Sequence, residues 1–339
     1  MSLNHLDYIS HLSFDICHFR FIEGTFFMMK EKTGGLSKVI VIAGPTASGK
    51  TSLSVELARL FDAEIINADS MQVYRGMDIG TAKPSIKERQ GIPHHLLDVV
   101  NPDQEFNAAI YRDMAASAAF DIINRGKRVL VVGGTGLYIK SLLGGLFQCP
   151  PSSPEIRQSL QREWEVEGPR ALYRRLECLD PQSARKIHPN DRVRIIRALE
   201  IISLTDRLPS DLSRQHRFSD RTFNPLKISI KREREELYRR INTRTTAMIN
   251  QGLVDETESL LRRGYSPRLK PLQAIGYKQA VEYLQGHCSI HEAGEKIRRE
   301  TRRYAKRQLT WFRADPEYTW VDPSRIDQLA KKIEMFFHA

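Results

Sequence analysis

Cysteine is scarce in this chain: Cys17, Cys149, Cys178 and Cys288 stand far apart in 339 residues, with no C-x-x-C pair. That spacing offers neither a zinc site nor a disulfide framework, so plain thiols are expected. No stretch approaches the roughly 18 consecutive apolar residues that a bilayer-crossing helix needs. The N-terminus lacks a basic start followed by a small-residue cleavage site, so no secretory signal is read. A cytoplasmic protein without a membrane partner is therefore expected. Internal repeats and low-complexity tracts are missing too, which argues against solenoid or linker-rich architectures.

What is present suits a globular protein of one large or two medium domains, with 41% apolar residues to fill a core. The net charge of +11 is unevenly placed. Residues 1–150 carry 15 basic and 15 acidic side chains, and residues 151–339 carry 37 and 26. A neutral half joined to a basic half suggests a polyanionic partner for the latter.

The most informative segment is Gly44-Pro45-Thr46-Ala47-Ser48-Gly49-Lys50-Thr51, which follows the apolar run Val39–Ile42 and precedes a helical stretch over Ser52 to Leu60. Glycines at both ends let successive backbone N–H groups turn inward on an anion, and the following helix adds its positive end. Lys50 brings a point charge to the outer phosphates and Thr51 a hydroxyl for Mg²⁺.

From Lys38 onward, strands alternate with helices. Strands are expected at Val39–Ala43, Glu64–Asn67, Arg128–Val132 and Leu226–Ile230, with a helix over Ala108–Arg125. The pattern predicts an α/β fold: a P-loop NTPase-like parallel sheet flanked by helices, with an inserted helical domain and a basic helical C-terminal region. The expected divisions are an incidental or disordered extension over 1–37, the phosphate-loop core over 38–150, the helical insertion over 151–225, a return to the core with basic helices over 226–325, and a tail over 326–339. Amphipathic spacing marks Pro154–Leu179 and Arg192–Leu204, and Pro209–Asn224 reads as a polar loop. Helices resume over Glu233–Asn250, Val254–Arg263, Gln279–Leu284 and His291–Phe312.

Ligands on such sheets sit beyond the carboxyl ends of the strands, here the phosphate loop, Asp69-Ser70 and Gly133–Thr135. Asp69 suits a general base serving a nucleophile across from the phosphate, and suits a turn or helix-cap aspartate equally. His94 and His95 are adjacent, so their imidazoles diverge and make a poor metal pair. On the last long helix, Lys296, Arg299, Arg303, Lys306 and Arg313 recur at helical spacing, with Tyr304 and Trp311 among them. Such a face suits phosphate contacts, or a solvated helix packed by its other side.

With these segments in order, the chain resembles the tRNA dimethylallyltransferases, also called isopentenyl-diphosphate:tRNA transferases. The likeness spans about Lys38 to Trp320. It rests on Gly44–Thr51, Ala68–Tyr74 with Met77–Pro84, Pro93–Asp98, Val132–Tyr138, His188–Asp191 through Arg197–Glu200, Ala274–Gln279 and Lys306–Arg313. The resemblance implies transfer of a dimethylallyl group from dimethylallyl diphosphate to N6 of the adenosine just 3′ of the anticodon, in tRNAs reading codons that begin with U.

By that resemblance Gly44, Pro45, Thr46, Ala47, Ser48, Gly49, Lys50, Thr51 and Arg234 hold the diphosphate. Asp69 is the base, Thr135 meets the reacting region, Lys50 steadies the leaving group and Thr51 places Mg²⁺. Ser70, Met71 and Gln72 meet the extruded base. Arg157, Arg194, Arg197, Lys278, Gln279, Lys306, Arg307 and Gln308 grip the anticodon stem–loop. The lack of zinc-module cysteines near the C-terminus matches the bacterial type, expected to act as a monomer. The phosphate loop by itself also fits an ATP-dependent small-molecule or nucleoside kinase, and the basic half a non-enzymatic RNA-binding protein.

Overall fold

The central strand β1 (Lys38–Ala43) explains the architecture, because its residues face two cores in alternation. Val39, Val41 and Ala43 belong to one apolar cluster, Ile40 and Ile42 to the other, and all five are inaccessible. A strand buried on both faces needs helices on both faces, which in turn requires parallel crossovers. The computed structural model describes residues 35–147, 150–216, 218 and 220–339. The extension expected over 1–37 lies almost wholly outside them, as do Cys17 and Cys149.

After β1 come α1 (Lys50–Leu60), β2 (Ala63–Asn67), the short α2 (Ile86–Arg89), β3 (His94–His95), α3 (Ala108–Asn124), β4 (Arg128–Gly133) and α4 (Gly136–Gly144). A helical stretch follows: α5 (Pro154–Glu167), α6 (Pro169–Leu179), α7 (Pro181–Ala184), α8 (Arg192–Thr205) and α9 (Pro209–His216). The chain then returns through β5 (Asn224–Ile230), α10 (Arg234–Asn250), α11 (Leu253–Arg262), α12 (Tyr277–Leu284), α13 (Ile290–Arg313), β6 (Thr319–Val321) and α14 (Ile326–His338). The strands form one parallel sheet in the order β3-β2-β4-β1-β5-β6. One face is covered by residues of α3, α4 and α11 to α13, the other by α1 and α14.

Three expectations need correction. The tail expected over 326–339 is α14, an amphipathic helix whose Leu329 and Ile333 are buried against the sheet. The polar loop expected over Pro209–Asn224 contains α9, with Leu212 buried. The stretch Pro154–Leu179 is two helices, because Gly168 takes φ 83° and Pro169 opens the next helix. A left-handed turn that costs glycine little interrupts the pattern, and proline is tolerated in the first turn that follows. Within this stretch α5, α6 and α8 share a small core of their own, built on Leu160, Leu172, Leu176, Ile195 and Leu199.

The long α13 is set by its period. Ala293, Ile297, Thr301, Ala305, Gln308 and Phe312 are buried, while Arg299, Arg303, Lys306, Arg307 and Arg313 are exposed. Ser289 caps it, accepting from the Glu292 N–H while Glu292 accepts from the Ser289 N–H. One helix thus presents an apolar seam inward and a cationic face outward.

An ion cluster around one buried carboxylate ties the sheet edge to the end of α3. Glu64 on β2, with only 3% of its side chain exposed, accepts from both terminal nitrogens of Arg125 and hydrogen-bonds His95 Nε2 at 2.7 Å. The Arg125 hydrogen bonds hold its carboxyl down to about 2, against the opposing effect of burial. A depressed carboxylate contributes stability above its unfolded pKa and loses it as pH falls through the folded value. Glu64→Ala is therefore expected to lower stability at neutral pH and to flatten the loss of melting temperature between pH 4.5 and 2. Thermal melts across that range check both.

Candidate active site

The phosphate loop leaves β1 at Gly44 and closes on α1, with Ala47 at φ 63° and Gly49 at φ 98°. Two left-handed residues bend the loop back on itself, a geometry suited to anion-binding nests. The Lys50 Nζ lies back on the loop, donating to the Gly44 and Pro45 carbonyls at 3.0 and 2.8 Å. Burial pushes the Lys50 ammonium down to about 8, opposed by the Asp69 charge and aided by Arg244. Thr51 sits in the first turn of α1, half-buried.

Outside the loop stands a row of arginines that sequence reasoning missed. Arg232 Nε donates to the Ser48 carbonyl at 3.1 Å, Arg240 Nε to the Ala47 carbonyl at 2.8 Å, and Arg244 to the Thr46 hydroxyl. Burial lowers the pKa of Arg244, while Asp69 pulls it up. Arg240 and Arg244 are one turn apart on α10, a spacing that could have marked them. Arg234, expected at the diphosphate, is exposed at the start of α10, its guanidinium 5.3 Å from the Tyr238 ring and its Nε donating to the Tyr238 hydroxyl.

Beside the loop, the ends of β2 and β4 are locked together. The Ala68 N–H donates to the Val132 carbonyl at 2.7 Å and the Thr135 N–H to the Ala68 carbonyl at 3.1 Å. A Cβ on Gly133 would lie 2.1 Å from the Ala68 oxygen, so only glycine permits this approach. Thr135 Oγ1 accepts from the Ser70 N–H at 3.0 Å and donates to Ser70 Oγ at 3.3 Å. Asp69 Oδ1 accepts from the Met71 N–H at 2.9 Å, which fixes the turn.

These pieces meet at a cavity of about 270 Å³. Thr46 of the loop, Asp69, Ser70 and Met71 form one side; Arg244 and Met248 of α10, Gly276 and Tyr277, and Ile297, Thr301 and Tyr304 of α13 complete it. Tyr304 was not foreseen in this position. Burial together with the Asp69 charge raises the pKa of its hydroxyl, so it stays protonated.

Several residues expected to meet the nucleic acid have partners within the chain. Gln308 is buried: its Oε1 accepts from the Thr46 N–H at 2.8 Å and its Nε2 donates to the Gly134 carbonyl at 2.9 Å. Gln279 is buried too, accepting from the Gly276 N–H and donating to Glu300. Gln72 spends its amide N–H groups on the Thr81 and Ala82 carbonyls, 3.2 Å each. Arg157 and Arg197 pair with the buried Glu200 of the helical insertion, and Arg194 with Asp191. Lys278, Lys306 and Arg307 are exposed, with the Arg307 guanidinium 5.6 Å from the Tyr304 ring.

Fold and site together define a phosphate-loop α/β protein with a cation-lined anion cradle opening beside a carboxylate. The IPP transferase family model matches residues 72–315. The tRNA dimethylallyltransferase 2 of Geotalea uraniireducens is 53% identical over 301 residues, 88% of this chain and 97% of that protein. The tRNA dimethylallyltransferase of Geobacter sulfurreducens is 50% identical over 310 residues, 91% and 100% of the two chains. Among solved structures, the tRNA isopentenylpyrophosphate transferase of Bacillus halodurans aligns with a TM-score of 0.66 at 40% identity, covering 88% of this chain and 96% of that one. A eukaryotic dimethylallyltransferase described as acting on tRNA aligns with a TM-score of 0.72 at 31% identity, covering 86% and 75%. The chain belongs to the IPP transferase family.

The charge state of Lys50 gives a direct check on the cradle. An anion seated in the loop restores the lysine toward its ordinary pKa, so binding sulfate, which carries no titrating proton at pH 8, takes up protons. Calorimetry in buffers of different ionisation enthalpy is expected to show this uptake in the wild type, and less of it in Lys50→Met.

Proposed function

We propose that the chain transfers a dimethylallyl group from dimethylallyl diphosphate to N6 of the adenosine 3′ of the anticodon, in tRNAs reading codons that begin with U. The observation that carries this reading is that Thr46 of the phosphate loop and Asp69 line the same cavity. A diphosphate in the loop and an acceptor amine at Asp69 would then approach one reacting carbon from opposite sides.

The allylic carbon–oxygen bond breaks as negative charge grows on the diphosphate. Lys50, the inward N–H groups and Arg244 stabilise that charge more in the transition state than before it. Arg232 and Arg240 hold the loop's outward carbonyls, keeping its N–H groups aimed inward. The adenine amine is a weak nucleophile, and the Asp69 carboxylate accepts its proton as the new carbon–nitrogen bond forms. Ser70 and Thr135 brace the turn that carries Asp69.

Among the described residues no cluster of three or more His, Cys, Asp or Glu side chains could hold a metal. The donors available at the loop suit Mg²⁺, which keeps much of its water and takes phosphate oxygens plus one hydroxyl, here Thr51. When bound, the ion would offset charge on the departing diphosphate.

The adenine must leave its stack to enter the cavity, at a cost of a few kcal/mol that is smaller in a loop than in a duplex. The exposed row on α13, with Lys306 and Arg307 beside the cavity-lining Tyr304, supplies phosphate contacts for the anticodon stem–loop. Lys278 opens α12 next to Tyr277 and extends that surface. Cavity and cationic helix come from one chain, which supports action as a monomer. No helix among the described residues is long and apolar enough to cross a membrane; a tRNA substrate supports reading the protein as cytoplasmic.

The test is incubation with dimethylallyl diphosphate and an unmodified tRNA, followed by nucleoside mass analysis. Asp69→Ala is expected to keep tRNA affinity and lower turnover by about 10² to 10⁴; unchanged turnover would refute the base assignment. Phosphate transfer from ATP to a nucleoside, with no prenyl product, would identify a kinase instead. Lys306→Ala and Arg307→Ala are each expected to weaken tRNA binding and to shrink its salt dependence, by roughly 0.7 to 0.9 in the slope of log affinity against log salt. Donor affinity is expected to stay within error, and fluorescence anisotropy at several salt concentrations measures the difference.

A further inference from the structure

One carboxylate outside the cavity governs the shape of its wall. Glu256, in the first turns of α11, accepts four hydrogen bonds. Its Oε2 takes the N–H groups of Asp78 and Ile79 at 2.9 and 2.8 Å. Its Oε1 takes the Gly80 N–H at 3.0 Å and the Tyr277 hydroxyl at 2.6 Å. Three consecutive backbone donors converging on one anion fix the dihedrals between them. Gly80, Thr81 and Tyr277 line the cavity, and Glu256 does not.

The clamp joins segments nearly two hundred residues apart and leaves no slack. A Cβ on Gly80 would lie 2.4 Å from the Tyr277 ring, so the strand of loop and the ring already touch. The Thr81 and Ala82 carbonyls are held in turn by Gln72, which is contiguous with the Asp69–Met71 turn. The wall on one side of the cavity and the turn carrying the base are thereby set in one register.

We propose that Glu256 is a positioning residue for the transfer reaction, fixing Gly80 and Tyr277 so that the extruded adenine is held with its amine at Asp69. The inference rests on reading the cavity as the seat of that adenine. The carboxylate form matters because every partner can donate. An isosteric amide keeps one acceptor oxygen. With that oxygen toward Asp78 and Ile79, the NH₂ can donate to the Tyr277 hydroxyl, yet it also faces the Gly80 N–H, a donor that cannot reverse. The released group is the one that lines the cavity.

The experiment uses the full chain and an anticodon stem–loop bearing 2-aminopurine at the acceptor position, whose fluorescence rises on unstacking, alongside prenylation of the unmodified stem–loop. Glu256→Gln is expected to melt within a few degrees of wild type and to bind the stem–loop within about threefold, because the surface cations are untouched. It is also expected to lose most of the fluorescence rise and to lower kcat by about 10 to 10², with the KM for the donor unchanged. Tyr277→Phe, which keeps the ring and the three backbone bonds, is expected to show a smaller loss.

A kcat loss that merely tracks the unfolded fraction would overturn the proposal, as would full fluorescence and turnover in Glu256→Gln, or a loss in Tyr277→Phe as deep as in Glu256→Gln. Should Glu256→Gln not fold, Gly80→Ala displaces the same wall from the ring side; it is expected to give the same split between binding and turnover, and intact base extrusion there would overturn the proposal. A wild type that neither prenylates nor brightens the probe would refute the reading of the cavity itself, whereas a wild type and a Glu256→Gln that perform equally refute only the role of Glu256.

Discussion

A single buried amide connects the parts on which the chemistry depends. Gln308 accepts from the Thr46 N–H in the phosphate loop and donates to the Gly134 carbonyl at the end of β4. It does so from α13, the helix whose opposite face carries the exposed cations. Buried amides in such a place are costly unless every strong donor and acceptor is met, and here each end of the side chain is engaged. Gly134 has no room for a Cβ, which would lie 2.1 Å from the Gln308 Nε2. The donor site, the strand end leading to Thr135 and the basic surface are therefore held at fixed distances from one another, although they come from residues more than 170 positions apart.

Around that tie the electrostatics are deliberately unbalanced. Lys50, Arg240 and Arg244 gather about the loop, Lys50 and Arg240 donating to its carbonyls and Arg244 to the Thr46 hydroxyl, while Arg232 is paired with Glu236; Asp69 is close enough to affect both Lys50 and Arg244. Charge drawn away from water, as at Lys50 and Arg244, destabilises a protein unless something of opposite sign completes it. The same charge makes the site ready for a polyanionic tail, without reorganisation at the moment of bond breaking.

The parts legible in the sequence were those written contiguously. Gly44–Thr51 is eight consecutive residues with one geometric meaning, and Val39–Ala43, Glu64–Asn67 and Arg128–Val132 carry their strand character locally, so the sheet and its carboxyl edge could be read directly. Asp69 and Thr135 followed, because strand ends point at the site in this fold class. The arginines did not follow: Arg232 just before α10, and Arg240 and Arg244 on it, look like any charged positions, and only tertiary packing brings them to the loop. Gln279 and Gln308 were read as surface groups because they sit among lysines and arginines. The buried register of α13, running through Thr301, Ala305, Gln308 and Phe312, holds the signal that Gln308 faces inward. The helix α14 was missed because its apolar residues gain meaning only against the sheet face that β1 and β5 present.

The most direct measurement of the central claim is a crystal structure of the chain with a non-reactive dimethylallyl diphosphate analogue and an anticodon stem–loop. The account predicts the diphosphate within the loop of residues 44–51, the adenine N6 within about 3 Å of the Asp69 carboxylate, and the allyl carbon between them at about 3 to 3.5 Å from N6. A diphosphate seated elsewhere, or an adenine still stacked in the stem–loop with Asp69 facing empty space, would contradict it.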